Sequence, residues 1–531
     1  MEEILLEKNI ERTSGAGSSN SVVLIDGSSL TIEQVWQIAH KKVVVEISPF
    51  AITKIQQSRD FVVKAAQEGK KIYGLTTGFA AFKDVLISED KIQELSRNII
   101  LSHSTSVGQP YSEEVVRAAM LVRVNSLIKG YSGIQIETAQ MFADMLNNHV
   151  YPHVPSKGSV GASGDLSPLC HIVSVMIGEG EAIVDGKRVS GSTALASKGL
   201  QPIKLGAKEG LALSNGTSVH TAQAVLNVVK AGQILKTADI ALSLSLEAFM
   251  GSINPFVKEI HDIRPHRGQI ESAQNVRLLS QGSELIDFDP FYRAVQDSYS
   301  LRCAPQVHGA AREAYYYVRK VVETEINSAT DNPLIFADKG LVLSGGNFHG
   351  EPVAIAMDTL CMAVAEIASI SERRVAKMVD EKNNHGLPAY LISSELGGLN
   401  SGLMMVQYTA AALVSENKVL SHPSSVDSIP TSANVEDHVS MAANAARHAE
   451  EVIENSRSVL AIEFICAAQG LEFRDKDKLS IADKTTYNLI RSVSPAISQD
   501  RELYNDIESV NRLLRNNLVV QALEQAVGKL A

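Results

Sequence analysis

Residues 351–381, EPVAIAMDTLCMAVAEIASISERRVAKMVDE, constrain the fold of this chain more than any other stretch. Wound as a helix, the run carries apolar or small residues around most of its circumference. Pro352 falls near the first turn, where a missing N–H costs nothing. A helix apolar nearly all round has to be buried on all sides. A second run of this kind lies at 402–420, and VHTAQAVLNVVKAGQILKTADIALSLSLEAFM opens the helix-dominated half of the chain. One chain can hardly cover so many buried helices, so the pattern predicts a central bundle shared between subunits. With 45% hydrophobic and 21% charged residues among 531, the core can be large. The fold class is mainly α: a long-helix bundle with a smaller mixed, loop-rich N-terminal part.

Three regions follow from the composition. Residues 1–21 read as a flexible tail, because ERTSGAGSSNS has nothing to bury. Residues 22–210 mix helices with Gly-rich turns at 74–78, 158–164 and 178–187, and 211–531 form the helical core and C-terminal helical region. Near the start, VVLIDG predicts a short strand and SSLTIEQVWQIAH a helix capped by Ser28 or Ser29. The net charge of −11, with no basic run interleaved with aromatics, argues against nucleic acid as a partner. The acidic first residues do not read as a secretory signal. The uncharged stretch 211–229 contains Asn215, Thr217, His220 and Gln223, which excludes a membrane span there. Cys170, Cys303, Cys361 and Cys466 are far apart in apolar contexts and read as core thiols of a cytoplasmic protein.

Against this helical background the stretch GSVGASGDLSPLC (158–170) is anomalous. Glycine lets the backbone approach closely and adopt angles other residues avoid. With Ala162, Ser163 and Gly164 in a tight turn, the Gly164 nitrogen can attack the Ala162 carbonyl. Loss of water closes a five-membered ring, and loss of the Ser163 hydroxyl leaves an exocyclic methylidene, an electrophile none of the twenty side chains supplies. A bare ASG tripeptide is ordinarily only a capped loop, so context decides.

GSVGASGDLSPL resembles the signature of the ammonia-lyase and 2,3-aminomutase family that carries the 4-methylideneimidazol-5-one group (MIO), which includes histidine, phenylalanine and tyrosine ammonia-lyases. The resemblance runs in order through IYGLTTGF (72–79), LSHSTSVG (101–108), KEGLALSNGT (208–217), VQDSYSLRCAPQVHGA (295–310), NSATDNPL (327–334), SGGNFHGEPVA (344–354) and HPSSVDSIPTSANVEDHVSM (422–441). It implies a fumarase/aspartase-like bundle, a homotetramer with shared active sites, and an MIO formed autocatalytically from Ala162-Ser163-Gly164 with no external cofactor and no metal. Breaking a Cα–N bond needs a better leaving group than ammonia, which the methylidene provides by alkylating the amine. It also needs a base for the β-proton. The family pattern assigns that proton to Tyr73, with Tyr299 assisting; taken alone, either tyrosine reads as an amphipathic core residue. Arg302 suits a substrate carboxylate, its planar fork meeting both oxygens, with a surface ion pair as the local alternative. Asn215 is placed to hydrogen-bond the ring carbonyl oxygen, or simply to form an NG turn. Gln296 and Phe348 match pocket positions, and the glycines of SGGNF would let backbone approach there. Asp165 either assists ring formation or caps a helix.

Two residues bear on the substrate ring. His103 occupies a selectivity position that resembles histidine or tyrosine enzymes, since an imidazole can hydrogen-bond a ring nitrogen or a phenol. Glu436 falls where histidine enzymes carry Glu and phenyl- or tyrosine-acting relatives usually carry Gln; a carboxylate suits an imidazole. Against these stand Ala80, where the family's TGFG has a loop glycine, Val435, where the usual NQED has Gln, and Ser218 in NGTS, as in tyrosine lyases and aminomutases; RPHRGQ (264–269) and the tail are also similar to tyrosine 2,3-aminomutases. The first reading is deamination of L-histidine to urocanate. Tyrosine or phenylalanine 2,3-aminomutation or deamination is the alternative, and a catalytically silent helical scaffold the remote one.

Overall fold

The run SVVLI forms strand β1 (Ser21–Ile25), paired in parallel with β2 (Val43–Ile47). Parallel neighbours need a crossover, and helix α1 (Ile32–Ala39) supplies it. Its cap is Thr31 rather than Ser28 or Ser29. Thr31 and Gln34 close a reciprocal capping box, while the Ser28 and Ser29 amides both donate to Asp26. This computed structural model describes residues 21–41, 43–68, 72, 77–78, 87–88, 91–286, 296–393, 395 and 397–531. The predicted tail therefore lies outside the described residues, apart from Ser21, which belongs to β1.

The rest of the N-terminal part is helices stitched by small sheets. Strand β3 (Val107–Pro110) pairs with β5 (Pro155–Lys157), and β4 (Tyr151–Pro152) joins the β6–β7 hairpin (Glu181–Val184, Lys187–Ser190); a further pair, β8 (Leu334–Phe336) with β9 (Leu341–Leu343), lies within the helical half. The bundle is built from long helices: α2 (Glu113–Leu127), α3 (Ser218–Phe249), α4 (Ala304–Glu325), α5 (Glu351–Met378), α6 (Met404–Leu420) and α7 (Ala442–Leu471). α5 and α3 both pack along α7, α4 lies against α5, and α2 covers α3. One continuous core of buried residues runs from Val23 to Leu530. The fold is mainly α, as the apolar runs require.

α3 is buried along almost its whole length, so its polar side chains must find partners inside. Asp239 accepts from Ser272, Asn275, His308 and Arg312. Burial alone would raise its pKa, but the Arg312 guanidinium and these donors hold it at about 2. α5, by length and composition long enough to cross a membrane, is a core helix here. It is not buried on all sides within one chain. Pro352, Ile355, Met362, Glu366 and Arg373 form an exposed stripe at helical spacing, because α3, α4, α6 and α7 cover only the remaining faces. The four cysteines are free thiols, three of them buried.

Candidate active site

The stretch that began as an anomaly is locked against the start of α3. Gly164 has φ +73 and forms a bridge with Gly216. The Asp165 amide donates to Gly216 O at 2.7 Å, and the Gly216 amide donates to Ser163 O at 3.3 Å. A Cβ on Gly164 would sit 2.1 Å from Gly216 O, so only glycine fits. Asp165 is buried and caps α3 from across the chain, accepting from the Val219 amide at 2.5 Å and the His220 amide at 3.2 Å. His220 Nδ1 adds a bond to the same carboxylate at 2.7 Å. Of the two readings for Asp165, the cap is visible, although the capped helix is not the one that follows it in sequence.

Beside this turn opens a cavity of about 530 Å³, lined among others by His103, Ala162, Ser163, Asn215, Phe348 and Glu436. Six of the catalytic and substrate-binding candidates thus meet in one place, with Gly164 directly behind them. Ser163 Oγ donates to Glu436 Oε1 at 2.8 Å, and Thr431 Oγ1 donates to Glu436 Oε2 at the same distance. His103, at the C-terminus of helix Ile92–His103, holds Nδ1 3.0 Å from Ser102 Oγ. Burial lowers its pKa, opposed by the Ile99 backbone and the Glu436 charge, so a neutral imidazole faces the cavity. Asn215 has its Nδ2 3.5 Å from Asn332 O, and its Oδ1 is buried without a partner. The donor on the Ser163 carbonyl is the Gly216 amide, not the Asn215 side chain.

The remaining candidates lie elsewhere in the chain. Tyr73 and Ala80 fall outside the described residues. Gln296, Tyr299 and Arg302 are described but not in this cavity: Tyr299 is 69% exposed, with the Arg302 guanidinium stacked over its ring at 4.4 Å. Two helices act as rulers. α3 starts at Asp165, yet the Ser252 amide just past its far end donates to Asp297. α5 starts beside the cavity, where the Gly350 amide donates to Gly161 O, yet Arg374 near its far end donates to Ser300 O. At 1.5 Å per residue the two groups are about 35 Å apart along α5. Gly345 and Gly346 also differ from expectation: among the described residues a Cβ on either would meet nothing within 4 Å, so no close approach requires glycine there.

Several supporting residues were not anticipated. Thr431 steadies Glu436, and Asn332 accepts from the Ser344 hydroxyl and the Gly345 amide at the cavity wall. Arg123 stands behind Asn215. NSATDNPL marked the neighbourhood of Asn332, but no sequence pattern pairs Arg123 with Asn215. His349, Glu351 and His438 bring ligand atoms within 4.8 Å of one another. However, His349 Nε2 is bonded to His438 O at 3.1 Å, and its Nδ1 accepts from the Glu351 amide at 3.3 Å. That histidine straps the 422–441 loop to α5 and leaves no free nitrogen for a metal.

The geometry has counterparts among known proteins. A family model described as aromatic amino acid lyase matches residues 30–492. Histidine ammonia-lyase from Caldanaerobacter subterraneus subsp. tengcongensis is 53% identical over 503 residues, covering 95% of this chain and 98% of that protein. Histidine ammonia-lyase from Natranaerobius thermophilus is 47% identical, covering 96% and 100%. Among solved structures, histidine ammonia-lyase from Trypanosoma cruzi superposes with a TM-score of 0.88 at 41% identity, over 95% and 96% of the two chains. Tyrosine aminomutase from Streptomyces globisporus superposes with a TM-score of 0.92 at 37% identity, over 96% and 100%. These structures are of the fumarase-like helical class.

Proposed function

Because this chain belongs to the aromatic amino acid lyase family, we propose that it eliminates ammonia from L-histidine to give urocanate, using an MIO built from its own Ala162, Ser163 and Gly164. The observation that carries the substrate assignment is the meeting of His103 and Glu436 with Ser163 in one cavity. The residues present fit the group. Gly164 has the positive φ and the clearance of a compressed turn, and the unpartnered Asn215 Oδ1 lies in the same wall.

The MIO supplies an electrophilic carbon that turns the substrate amine into a better leaving group. The rest is done by side chains. Glu436, fixed by Thr431, accepts from an imidazole N–H and favours the ring carrying positive charge. His103 meets the other edge of the ring as a neutral partner, and Phe348 walls the cavity with apolar surface. Tyr73 takes the β-proton. Gln296, Tyr299 and Arg302, too far away within their own chain, serve the cavity of another copy, Arg302 binding the carboxylate. The protein is accordingly a homotetramer with shared sites. Its free thiols suit a cytoplasmic location.

One observation favours a second reading, tyrosine 2,3-aminomutation. Val435, apolar and 56% exposed, lines the cavity beside Glu436, and tyrosine aminomutase is among the structural neighbours. Incubating the pure protein separately with histidine, tyrosine and phenylalanine decides the matter. Urocanate from histidine alone is the expected result. No urocanate, with β-tyrosine or coumarate from tyrosine, would overturn it.

A further inference from the structure

The peptide joining Asn215 to Gly216 touches the ring-forming triplet at one end and a buried cation at the other. Its N–H, on Gly216, donates to Ser163 O at 3.3 Å, and its carbonyl, on Asn215, accepts from Arg123 Nη2 at 2.8 Å. Arg123 stands on α2 and is fully buried. Nη2 donates also to Ala212 O, while Nε and Nη1 have no hydrogen-bond partner. A Cβ on Gly216 would come within 2.3 Å of Arg123 Nη1, so the guanidinium and this peptide pack with only a glycine's clearance.

An arginine does not shed its proton inside a protein, so a whole positive charge is held there. Among the described residues it makes no direct ion pair. The two acids that act on it electrostatically are engaged elsewhere: Asp331 with Lys208 at 2.5 Å, and Asp165 with His220 at 2.7 Å. Burial of so costly a group, with two nitrogens unsatisfied, calls for a reason beyond holding two carbonyls.

The chemistry of the triplet supplies one, and this step rests on the MIO reading above. Ring closure joins Gly164 N to Ala162 C and expels the Ala162 oxygen as water. Loss of the Ser163 hydroxyl and its Cα proton expels a second water and leaves the methylidene. The Ser163 carbonyl survives as the carbonyl of the ring, conjugated to that methylidene. Any nucleophile that adds there pushes electron density onto the Ser163 oxygen, the atom that faces the Gly216 amide. We propose that Arg123 is a positioning residue for this oxygen: its charge polarises the Asn215–Gly216 peptide, strengthens the Gly216 N–H as a donor, and so raises the electrophilicity of the ring. In a dry interior such an arranged dipole acts at nearly full strength.

Arg123→Gln removes the charge and keeps donors for the carbonyls; Arg123→Lys keeps the charge. Each purified tetramer is weighed intact, since a ring costs the chain two waters, and then timed for cyanide addition by the loss of ring absorbance. A missing direct oxyanion donor costs 100- to 1,000-fold, and an indirect one less, so Arg123→Gln should add cyanide about tenfold more slowly. Its kcat should fall by a similar factor with KM little changed, and Arg123→Lys should retain most of the rate. A ring-bearing Arg123→Gln protein that reacts at the wild-type rate overturns the proposal, as does an Arg123→Lys protein as slow as the glutamine variant. If the glutamine variant fails to fold or to form the ring, wild-type protein labelled with [1-13C]serine is read by difference infrared. A ring-carbonyl frequency below that of a free imidazolone in water supports the proposal, and one at or above it overturns it. A wild-type mass that retains both waters is a different failure: it removes the MIO reading itself.

Discussion

In the proposed function, Glu436 is the residue on which substrate choice turns. Its carboxylate accepts from Thr431 Oγ1, a bond that does not depend on the Ser163 hydroxyl lost in ring formation, so it is fixed before any substrate arrives. Replacing it by Gln removes the charge and keeps the shape. With histidine as substrate, the loss of a hydrogen bond between charged groups should cost about 1.5–3 kcal/mol in kcat/KM, roughly ten- to a hundredfold in urocanate absorbance. With tyrosine as substrate the same change should be neutral. Ser163→Ala tests the electrophile: it should fold, keep both waters in its intact mass, resist cyanide and borohydride, and lose nearly all activity. Full activity in that variant sinks the MIO. Residues such as Ser163, His103 and Glu436 were legible because each sits inside a dense local motif whose chemistry demands it. Thr431 and Arg123 were not, because what matters about them is a partner brought close only by the fold. Asn215 lines the cavity as its motif implied, whereas the Gly216 amide beside it, which donates to Ser163 O, was not legible because it acts through the backbone.

At the scale of elements, the sequence reveals helices better than it reveals what ends or pins them. Apolar periodicity finds α5 and α6 to within a few residues, whereas the cap of α1 depends on which of three hydroxyl residues has Gln at the matching position. The cap of α3 comes from Asp165, more than fifty residues upstream, and no local pattern encodes it. Asp165→Ala should therefore lower the melting temperature through loss of about 1–2 kcal/mol of capping and leave His220 buried without its acceptor. An unchanged melt would refute the cap. α3 also carries one member of a destabilising pair. Burial pushes the Glu247 carboxyl up to about 7, against bonds from the Ser480 amide and Ser283 hydroxyl, and the neighbouring Asp483 is raised as well. In the unfolded chain Glu247 ionises near its ordinary 4.5, so the fold binds the extra proton between the two values. The stability this contributes is fully present below 4.5 and is lost as pH rises through about 7. Glu247→Gln should hence be near neutral in acid and stabilising, on the order of 2 kcal/mol, around pH 8. Melting curves that differ equally at both pH values would contradict this.

At the scale of the whole molecule, the proposed assembly of copies rests on two facts. α5 leaves Ile355 (44% exposed) and Met362 (48%) on its open stripe, and α6 leaves Met405, Tyr408 and Val419 uncovered, exposed apolar side chains of the kind that mark interaction surfaces. The same helices keep Ser163 and Glu436 at one end and Tyr299 and Arg302 at the other. The proposed tetramer would answer both facts, by packing copies so that the far end of one bundle meets the cavity of another. The bundle was legible from sequence because all-round apolar helices need company; which residues of which copy meet was not, because one chain's sequence carries no intermolecular distance. Analytical ultracentrifugation should find a tetramer, and Met362→Glu should disperse it with loss of activity while the mass still shows the ring. The sharper test combines two inactive variants. Ser163→Ala lacks the electrophile but retains Arg302, and Arg302→Ala lacks the carboxylate clamp but retains Ser163. If each cavity draws on two copies, unfolding the variants together and refolding them as mixed tetramers should restore activity at about a quarter of the sites, those that combine an intact triplet with an intact Arg302 from a neighbour. If each cavity is served by its own chain alone, no mixture of the two can contain a complete site, and the refolded mixture will be as inactive as its parts.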